Sequence, residues 1–295
     1  MRTDVSFYSE GMRVSGQLYL PDQRREGEKL PAVVLCHGFA GFKELLLPPY
    51  AERFAASGLA ALLFDYRGFG GSEGERGRLV PAEQVADIRN AVTFVQTLSE
   101  VDAERVGLWG TSFGGANAIY VAAADRRVKA LAAQLTFASG ERMIKGTMDG
   151  EMLQKLEATL QSVLERAVTR NKVLRLAPEQ ILTDPESKAF VARMSEEFPQ
   201  LKTKIPFATL GHVMEHNPQT VIGRVRCPTL FVSAAEDRVC PPGETEVLFG
   251  LASEPKKLVV LEGCRHYDAY EGTHLEKGAG AAVQWFSTHL LSVDH

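Results

Sequence analysis

The chain opens with alternating hydrophobic and polar residues and then changes to short, continuously apolar runs. The alternation covers Val5–Tyr8 and Met12–Leu20, and a period of two predicts antiparallel strands with one wet face. Continuous apolar runs are typical of parallel strands that are covered on both faces. They predict strands at Pro31–Cys36, Leu59–Asp65, Arg105–Trp109, Val128–Leu135, Cys227–Ser233 and Lys257–Leu261.

Helical patterns lie between these apolar runs. The clearest begins at Pro81 and ends near Ser99, with apolar residues at helical spacing. Further helices are predicted at Lys43–Ser57, Phe113–Ala124, Pro242–Gly250 and Lys277–Leu290. Because strands and helices alternate with short links, the sequence predicts an α/β fold. Its sheet is expected to be mostly parallel and doubly wound with right-handed crossovers, and to carry antiparallel N-terminal strands.

The alternation stops between residues 139 and 220. Two amphipathic helices are predicted there, Glu151–Thr169 and Pro185–Glu197, with no strand-like run between them. We therefore predict a core domain formed by residues 1–138 and 221–295, interrupted by a helical cap insertion at 139–220.

The cap is expected to lie over the carboxyl edge of the sheet, where open α/β folds bind ligands. Met143, Met148 and Met152 lie in its first part and suggest that it lines an acyl or aromatic pocket. The alternative is that these residues only pack the cap onto the core.

Composition narrows the class of protein. A net charge of −4 over 295 residues does not favour nucleic-acid binding, which uses basic faces. The most apolar stretch, Gly58–Tyr66, is far shorter than the ~20 residues that cross a bilayer. With no apolar segment at Met1 and four cysteines without CxxC spacing, we expect a cytoplasmic protein with reduced thiols. A homodimer is compatible with this chain.

A candidate nucleophile lies in the sequence Gly110-Thr-Ser112-Phe-Gly114. This GxSxG motif follows a predicted strand and precedes a predicted helix, which is the context of a nucleophile elbow. Only very small side chains fit on either side of so tight a turn. We therefore predict that Ser112 attacks a carbonyl carbon at the carboxyl edge of the sheet.

Serine needs a base, and the base needs an acid to orient it. His266 lies on the loop after the last strand, and Asp237 follows the strand before it. The order serine, aspartate, histidine is that of α/β-hydrolases. Glu236 is the alternative acid, whereas Asp268 is expected to accept a local hydrogen bond.

Two backbone N–H groups are expected to hold the oxyanion of the tetrahedral intermediate. One belongs to Phe113, next to the nucleophile, and the other to Phe39 in the loop Cys36-His-Gly-Phe-Ala-Gly41. We expect His37 to brace this loop and not to act as a base or metal ligand.

These residues resemble the α/β-hydrolase superfamily along nearly the whole chain. The matching elements are His37-Gly38, Asp65-Tyr-Arg-Gly-Phe-Gly-Gly-Ser72, Gly110–Gly115, the Asp237 loop and His266-Tyr-Asp-Ala-Tyr270. Among its members, the chain looks most like relatives of dienelactone hydrolase, cinnamoyl esterases and Xaa-Pro acyl peptidases. The resemblance implies a serine esterase acting on a small-molecule acyl substrate, with no metal and no organic cofactor. Arg67 is expected to pair with Asp65 or Asp87, or alternatively with a carboxylate on the substrate.

Three other interpretations remain open. His212-Val-Met-Glu-His216 matches the zinc-binding pattern HxxEH, although no third ligand is marked. A non-catalytic binding protein can share the same fold. The same triad can also cleave thioesters, peptides or carbon–carbon bonds, or pass the acyl group to an acceptor other than water.

Overall fold

A central sheet organises the protein, which we describe from a computed structural model covering residues 1–25, 27–146 and 148–291. The strands assigned within these residues are β1 (Arg2–Ser9), β2 (Met12–Tyr19), β3 (Leu30–Cys36), β4 (Ala60–Phe64), β5 (Val101–Thr111), β6 (Val128–Gln134), β7 (Arg175–Leu176), β8 (Ile205–Pro206), β9 (Thr229–Ala234) and β10 (Lys256–Leu261). Eight of them form one sheet in the order β1-β2-β4-β3-β5-β6-β9-β10. β2 pairs antiparallel with both β1 and β4, and the remaining neighbours are parallel.

Helices cover both faces of this sheet. They are α1 (Pro48–Ala56), α2 (Pro81–Gln96), α3 (Phe113–Ala124), α4 (Gly140–Lys145), α5 (Gly150–Arg170), α6 (Pro178–Ile181), α7 (Pro185–Glu197), α8 (Thr209–Met214), α9 (Pro242–Leu251) and α10 (Gly272–Phe286). One core cluster packs α2, α3 and α9 against the sheet, and a second packs α1 and α10 against the other face. Every residue of β3 and β4 is therefore buried, as the continuous apolar runs predicted.

The helix predicted from Lys43 begins five residues later than expected. Leu46 has a positive φ of 66°, which interrupts a helix, and Pro48 stands at the first helical position. The preceding residues are held instead by Asp65, whose carboxylate accepts hydrogen bonds from the Lys43 backbone N–H at 2.6 Å and from Lys43 Nζ at 2.8 Å. The buried ion pair between Lys43 and Asp65 thus stands where the first turn of the predicted helix was expected.

The segment between β6 and β9 contains α4 to α8, of which α5 and α7 correspond to the two predicted helices. The expectation that no strand lies between its two long helices is wrong, because β7 follows α5 and pairs antiparallel with β8. Each strand has only two residues, too short for any hydrophobic period. β7 is anchored from outside the segment, since Arg175 forms an ion pair with Glu75. The exact limits 139 and 220 stay a prediction, and residues 26, 147 and 292–295 of the predicted domains lie outside the described residues.

The surface of α5 shows how shallowly this segment is packed. Its buried residues are Leu156, Leu160 and Val163, while Leu164 and Val168 on the same helix are exposed. In the described part of the chain, no helix combines the length and the apolarity required to cross a membrane.

Candidate active site

Ser112 occupies the sharp turn between β5 and α3. Its φ of 53° and ψ of −123° form a conformation that residues with a side chain rarely adopt. Such a strained conformation needs close packing around it, and the flanking glycines allow the neighbouring backbones to pack that closely. A Cβ on Gly110 would lie 2.4 Å from the carbonyl oxygen of Gly114, and a Cβ on Gly114 would lie 2.2 Å from that of Cys36. The turn is therefore closed by contacts between backbones.

We expect Gly114→Ala to destabilise the fold by about 3 kcal/mol and to abolish activity, because the new methyl group overlaps backbone atoms that cannot move independently. Chemical denaturation and an esterase assay measure both effects. Gly280→Ala is the matched control, since Gly280 is also helical and a Cβ there meets nothing within 4 Å. Equal stability of the two variants would contradict the close packing of the turn.

Asp237 and His266 lie on the loops that follow the neighbouring parallel strands β9 and β10, so the fold brings them together. His266 Nδ1 lies 2.7 Å from Asp237 Oδ2, and both side chains are buried. The other carboxylate oxygen, Oδ1, accepts the backbone N–H groups of Val239 and Cys240, each at 2.8 Å. The carboxylate is thus fixed on both sides, with Oδ2 against the imidazole.

Ser112 and His266 line one small cavity of about 70 Å³. The polar contact of Ser112 Oγ is with Cys240 Sγ at 3.9 Å, and among the described residues it has no direct hydrogen bond to His266. Catalytic hydrogen bonds are often long before substrate binds. Sequence reasoning did not place Cys240 beside the nucleophile, because no motif surrounds it. Burial raises the pKa of its thiol well above the ordinary value, so the thiol stays protonated.

Phe39 and Phe113, the predicted oxyanion-hole residues, meet through their rings, whose centroids lie 5.9 Å apart. The N–H of Phe113 belongs to the first residue of α3 and is one of the donors that a helix leaves unpaired. Gly38 brings the other loop close, since a Cβ there would lie 3.3 Å from Ser112 Cβ. Both backbone segments therefore flank the serine.

Asp65 and Arg67 hold the neighbouring loops in place. Asp65 binds Lys43, as described above, and its Oδ2 also accepts the N–H of Gly71 at 2.8 Å. Arg67 pairs with Asp87 at 2.7 Å, which confirms one of its two predicted protein partners. The other predicted partner, Asp65, pairs with Lys43 and not with Arg67. The Lys43–Asp65 pair, which sequence reasoning missed, fixes the end of the loop that carries Phe39.

The cavity wall corrects the prediction for Met143, Met148 and Met152, because none of them is among the described residues that line it. Met143 packs against the core, and Met152 on the first turn of α5 is 52% exposed. The apolar wall comes from other parts of the chain: Leu45, Leu46, Leu47, Pro178, Leu182, Phe190, Val191 and Leu201. The segment between β6 and β9 does contribute to the pocket, but through α6, α7 and the residues that directly follow these helices.

The HxxEH sequence does not form one helical face. α8 ends at Met214, His212 is exposed, and His216 is buried with its ring stacked on Tyr120 at 4.4 Å. Within the described ranges, no group of three histidine, cysteine, aspartate or glutamate residues is placed to hold a metal ion. His216 is explained by its packing.

Burial lowers the pKa of His216 to about 4, from the ordinary 6.5. Between these values the unfolded chain binds a proton that the folded chain does not, so the free energy of unfolding falls as pH drops through this window. We expect His216→Phe, which keeps an aromatic ring, to remove roughly 3 kcal/mol of this pH dependence. Denaturation at pH 7 and pH 4 measures it, with the exposed His212→Phe as control. Identical pH profiles for His216→Phe and wild type would contradict the assignment.

The remaining candidates have other contacts. Glu236, the alternative acid, is exposed, whereas Asp237 binds the imidazole. Asp268 accepts hydrogen bonds from Arg265 at 2.9 and 3.0 Å, the local role predicted for it. The buried His37 ring lies 3.0 Å from the carbonyl oxygen of Gly38, and burial lowers its pKa to about 4. All four cysteines are free thiols.

This combination of sheet, elbow and paired loops matches known proteins. A family model described as serine aminopeptidase, S33, covers residues 27–271. The chain belongs to this serine aminopeptidase S33 family. Membership confirms the predicted α/β-hydrolase superfamily and identifies the protein as a hydrolase enzyme.

Relatives of this S33 family protein span nearly its full length. It is 39% identical to an uncharacterized 31.7 kDa Escherichia coli protein from the traX–finO intergenic region, over 89% of this chain and 92% of that protein. It is 28% identical to the thiohydrolase aneE of Aspergillus aculeatus, over 96% and 92% of the two chains. The structure of DcsB in complex with its substrate analogue aligns with a TM-score of 0.87 and 26% identity, covering 99% of this chain and 100% of that one. The predicted α/β-hydrolase fold is therefore confirmed.

Proposed function

We propose that this protein is a serine esterase that cleaves a carboxylic ester through an acyl-enzyme on Ser112. The observation that carries the proposal is the strained Ser112 in one cavity with His266, whose imidazole is held by Asp237. A hydroxyl at such a turn is exposed to substrate, and a fixed imidazole is the usual base that activates it.

In the first half-reaction, His266 accepts the proton of Ser112 while Oγ forms a bond to the carbonyl carbon. The N–H groups of Phe113 and Phe39 donate hydrogen bonds to the resulting oxyanion. Collapse of this intermediate breaks the bond to the alcohol, which leaves with the proton from His266. Asp237 stabilises the imidazolium throughout without taking its proton.

In the second half-reaction, water gives a proton to His266 and attacks the acyl carbon. The bond to Ser112 Oγ then breaks, His266 returns the proton to the serine, and the carboxylic acid is released. Water is the only co-reactant in this sequence, so the proposal involves neither a metal nor an organic cofactor.

The cavity wall supports an apolar acyl group. Leucines from the loop before α1 and apolar residues of α6 and α7 line the cavity, and burial of apolar surface favours acyl or aromatic groups there. We therefore propose a small-molecule substrate with a small to medium acyl or aromatic group.

Thioester hydrolysis is the second candidate. The similarity to the thiohydrolase aneE across 96% of this chain favours it, and the acyl-enzyme would be the same. A thiol would then leave in place of the alcohol, again protonated by His266.

A substrate panel tests both candidates. Purified protein is assayed with p-nitrophenyl esters of rising chain length, acyl-CoA thioesters and peptide amides, each also with the Ser112→Ala variant. We expect hydrolysis of esters, or of thioesters for the second candidate, only with Ser112 present. Turnover of amides alone, or turnover that is unaffected by Ser112→Ala, would contradict the proposal.

A further inference from the structure

A large open groove lies beside the small catalytic cavity. It has a volume of about 970 Å³ and runs between the first half of α7 and the loops that follow β9 and β10. The catalytic cavity, at about 70 Å³, is much smaller. Binding sites for small molecules usually measure ~300–1,000 Å³. As it stands, the cavity is too small for an ester, whereas the groove is not.

Two stacked rings separate these spaces. Phe190 of α7 and Tyr267, the residue after His266, are the residues that line both the groove and the cavity. Their centroids lie 4.0 Å apart and their planes are 10° from parallel. The partition is therefore one aromatic contact between the cap segment and the loop of the catalytic histidine.

The same face of α7 holds this loop through three further contacts. Glu186 accepts the backbone N–H of Tyr267 at 3.2 Å, Ser187 accepts the Tyr267 hydroxyl at 3.0 Å, and Arg193 pairs with Glu271 at 2.9 Å. Glu186, Phe190 and Arg193 follow helical i, i+4 and i+7 spacing and so lie on one face. This face of α7 has to move away from the His266 loop if the groove and the cavity are to join.

The packing beneath α7 forms its own cluster, which meets the main core at Leu46 and Tyr267. Phe190 and Val191 belong to a small apolar cluster with Phe42, Leu45 and Leu201, apart from the two clusters that flank the sheet. Small satellite clusters under connecting segments open more easily than the core. Displacing α7 therefore leaves the triad's support on the sheet intact.

We propose that Phe190 and Tyr267 form a gate, and that substrate reaches Ser112 from the groove by separating these rings. The acyl group then occupies the enlarged cavity, and the alcohol or thiol part extends into the groove. The gate rests on the proposed function, since it assumes that Ser112 is the group to be reached. It predicts a preference for substrates whose leaving group is too large for the closed cavity.

Labelling of Ser112 with two fluorophosphonates, a small dialkyl probe and a bulky biotin-linked probe, tests the gate. Phe190→Ala removes the stacking contact and is expected to raise the labelling rate of the bulky probe, relative to the small one, by about tenfold. Ser187→Ala removes only the hydrogen bond from the Tyr267 hydroxyl, and we expect a shift of about threefold in the same direction. This second variant keeps the test valid if Phe190→Ala does not fold.

Met194→Ala is the matched control, because Met194 also packs from α7 onto the small cluster but lines neither space. We expect its ratio of labelling rates to equal that of wild type. A wild-type ratio for both Phe190→Ala and Ser187→Ala overturns the gate, as does an equal shift in Met194→Ala. Labelling of the Ser112→Ala variant at the wild-type rate would instead overturn the proposed nucleophile.

Discussion

Replacing Ser112 by alanine is expected to lower kcat by about 10⁴ or more while the protein remains folded. The loss is large because the proposed acyl-enzyme forms on the Ser112 hydroxyl. Cys240 is the nearest candidate, with its sulfur 3.9 Å from Ser112 Oγ, but burial raises the pKa of its thiol well above the usual range. A protonated thiol is a poor nucleophile. Steady-state hydrolysis of the best ester in the panel measures the effect, with circular dichroism as the check on folding.

Cys240→Ala is the matched control for this experiment. It removes a buried side chain of similar size from the same site, so it reports what local repacking alone does to turnover. We expect it to reduce kcat by less than about tenfold, because a thiol that stays protonated takes no part in acyl transfer. If Cys240→Ala lost as much activity as Ser112→Ala, the assignment of Ser112 as the nucleophile would be contradicted.

The main outlines of this fold follow from local patterns. α3 begins at Phe113 and ends at Ala124 as predicted, because the elbow fixes its start. α7 begins at Pro185, where Asp184 caps the helix by accepting the N–H of Ser187 at 2.7 Å. The loops of Asp237 and His266 were predictable for another reason, since neighbouring parallel strands end at the same edge of the sheet. The roles of these two residues remain predictions.

The details that the sequence could not supply depend on contacts between distant segments. Lys43 looks like part of a helix until its buried partner Asp65, 22 residues away, is known. The stacking of Phe190 on Tyr267 joins residues 77 positions apart and depends on how α7 docks. The methionine prediction failed for the same reason. Residues at the start of the predicted cap were assigned to the pocket from their position in the chain, whereas the loop before α1 and the region around α6 and α7 supply that wall.

Asp237→Asn is expected to lower kcat by about 10⁴ with little change in structure. The physical reason lies in the hydrogen bonds of the carboxylate. Oδ1 accepts N–H groups from Val239 and Cys240, so the oxygen of an asparagine side chain has to remain there. Its NH₂ group then takes the position of Oδ2, which lies 2.7 Å from His266 Nδ1 in the wild type. That nitrogen must become an acceptor, which moves the imidazole proton to Nε2, the nitrogen that should take the proton of Ser112.

Glu236→Gln is the matched control, because it makes the same chemical change at the neighbouring, exposed carboxylate. We expect near wild-type turnover from it, since Glu236 does not hold the imidazole. Both variants remove one negative charge from the same loop. The comparison therefore distinguishes an effect of the His266 tautomer from an effect of the lost charge. If the two variants lost activity equally, loop charge would be the cause, and the proposed orientation of His266 by Asp237 would be wrong. If only Asp237→Asn lost activity, the effect would have to act through the carboxylate that contacts the ring.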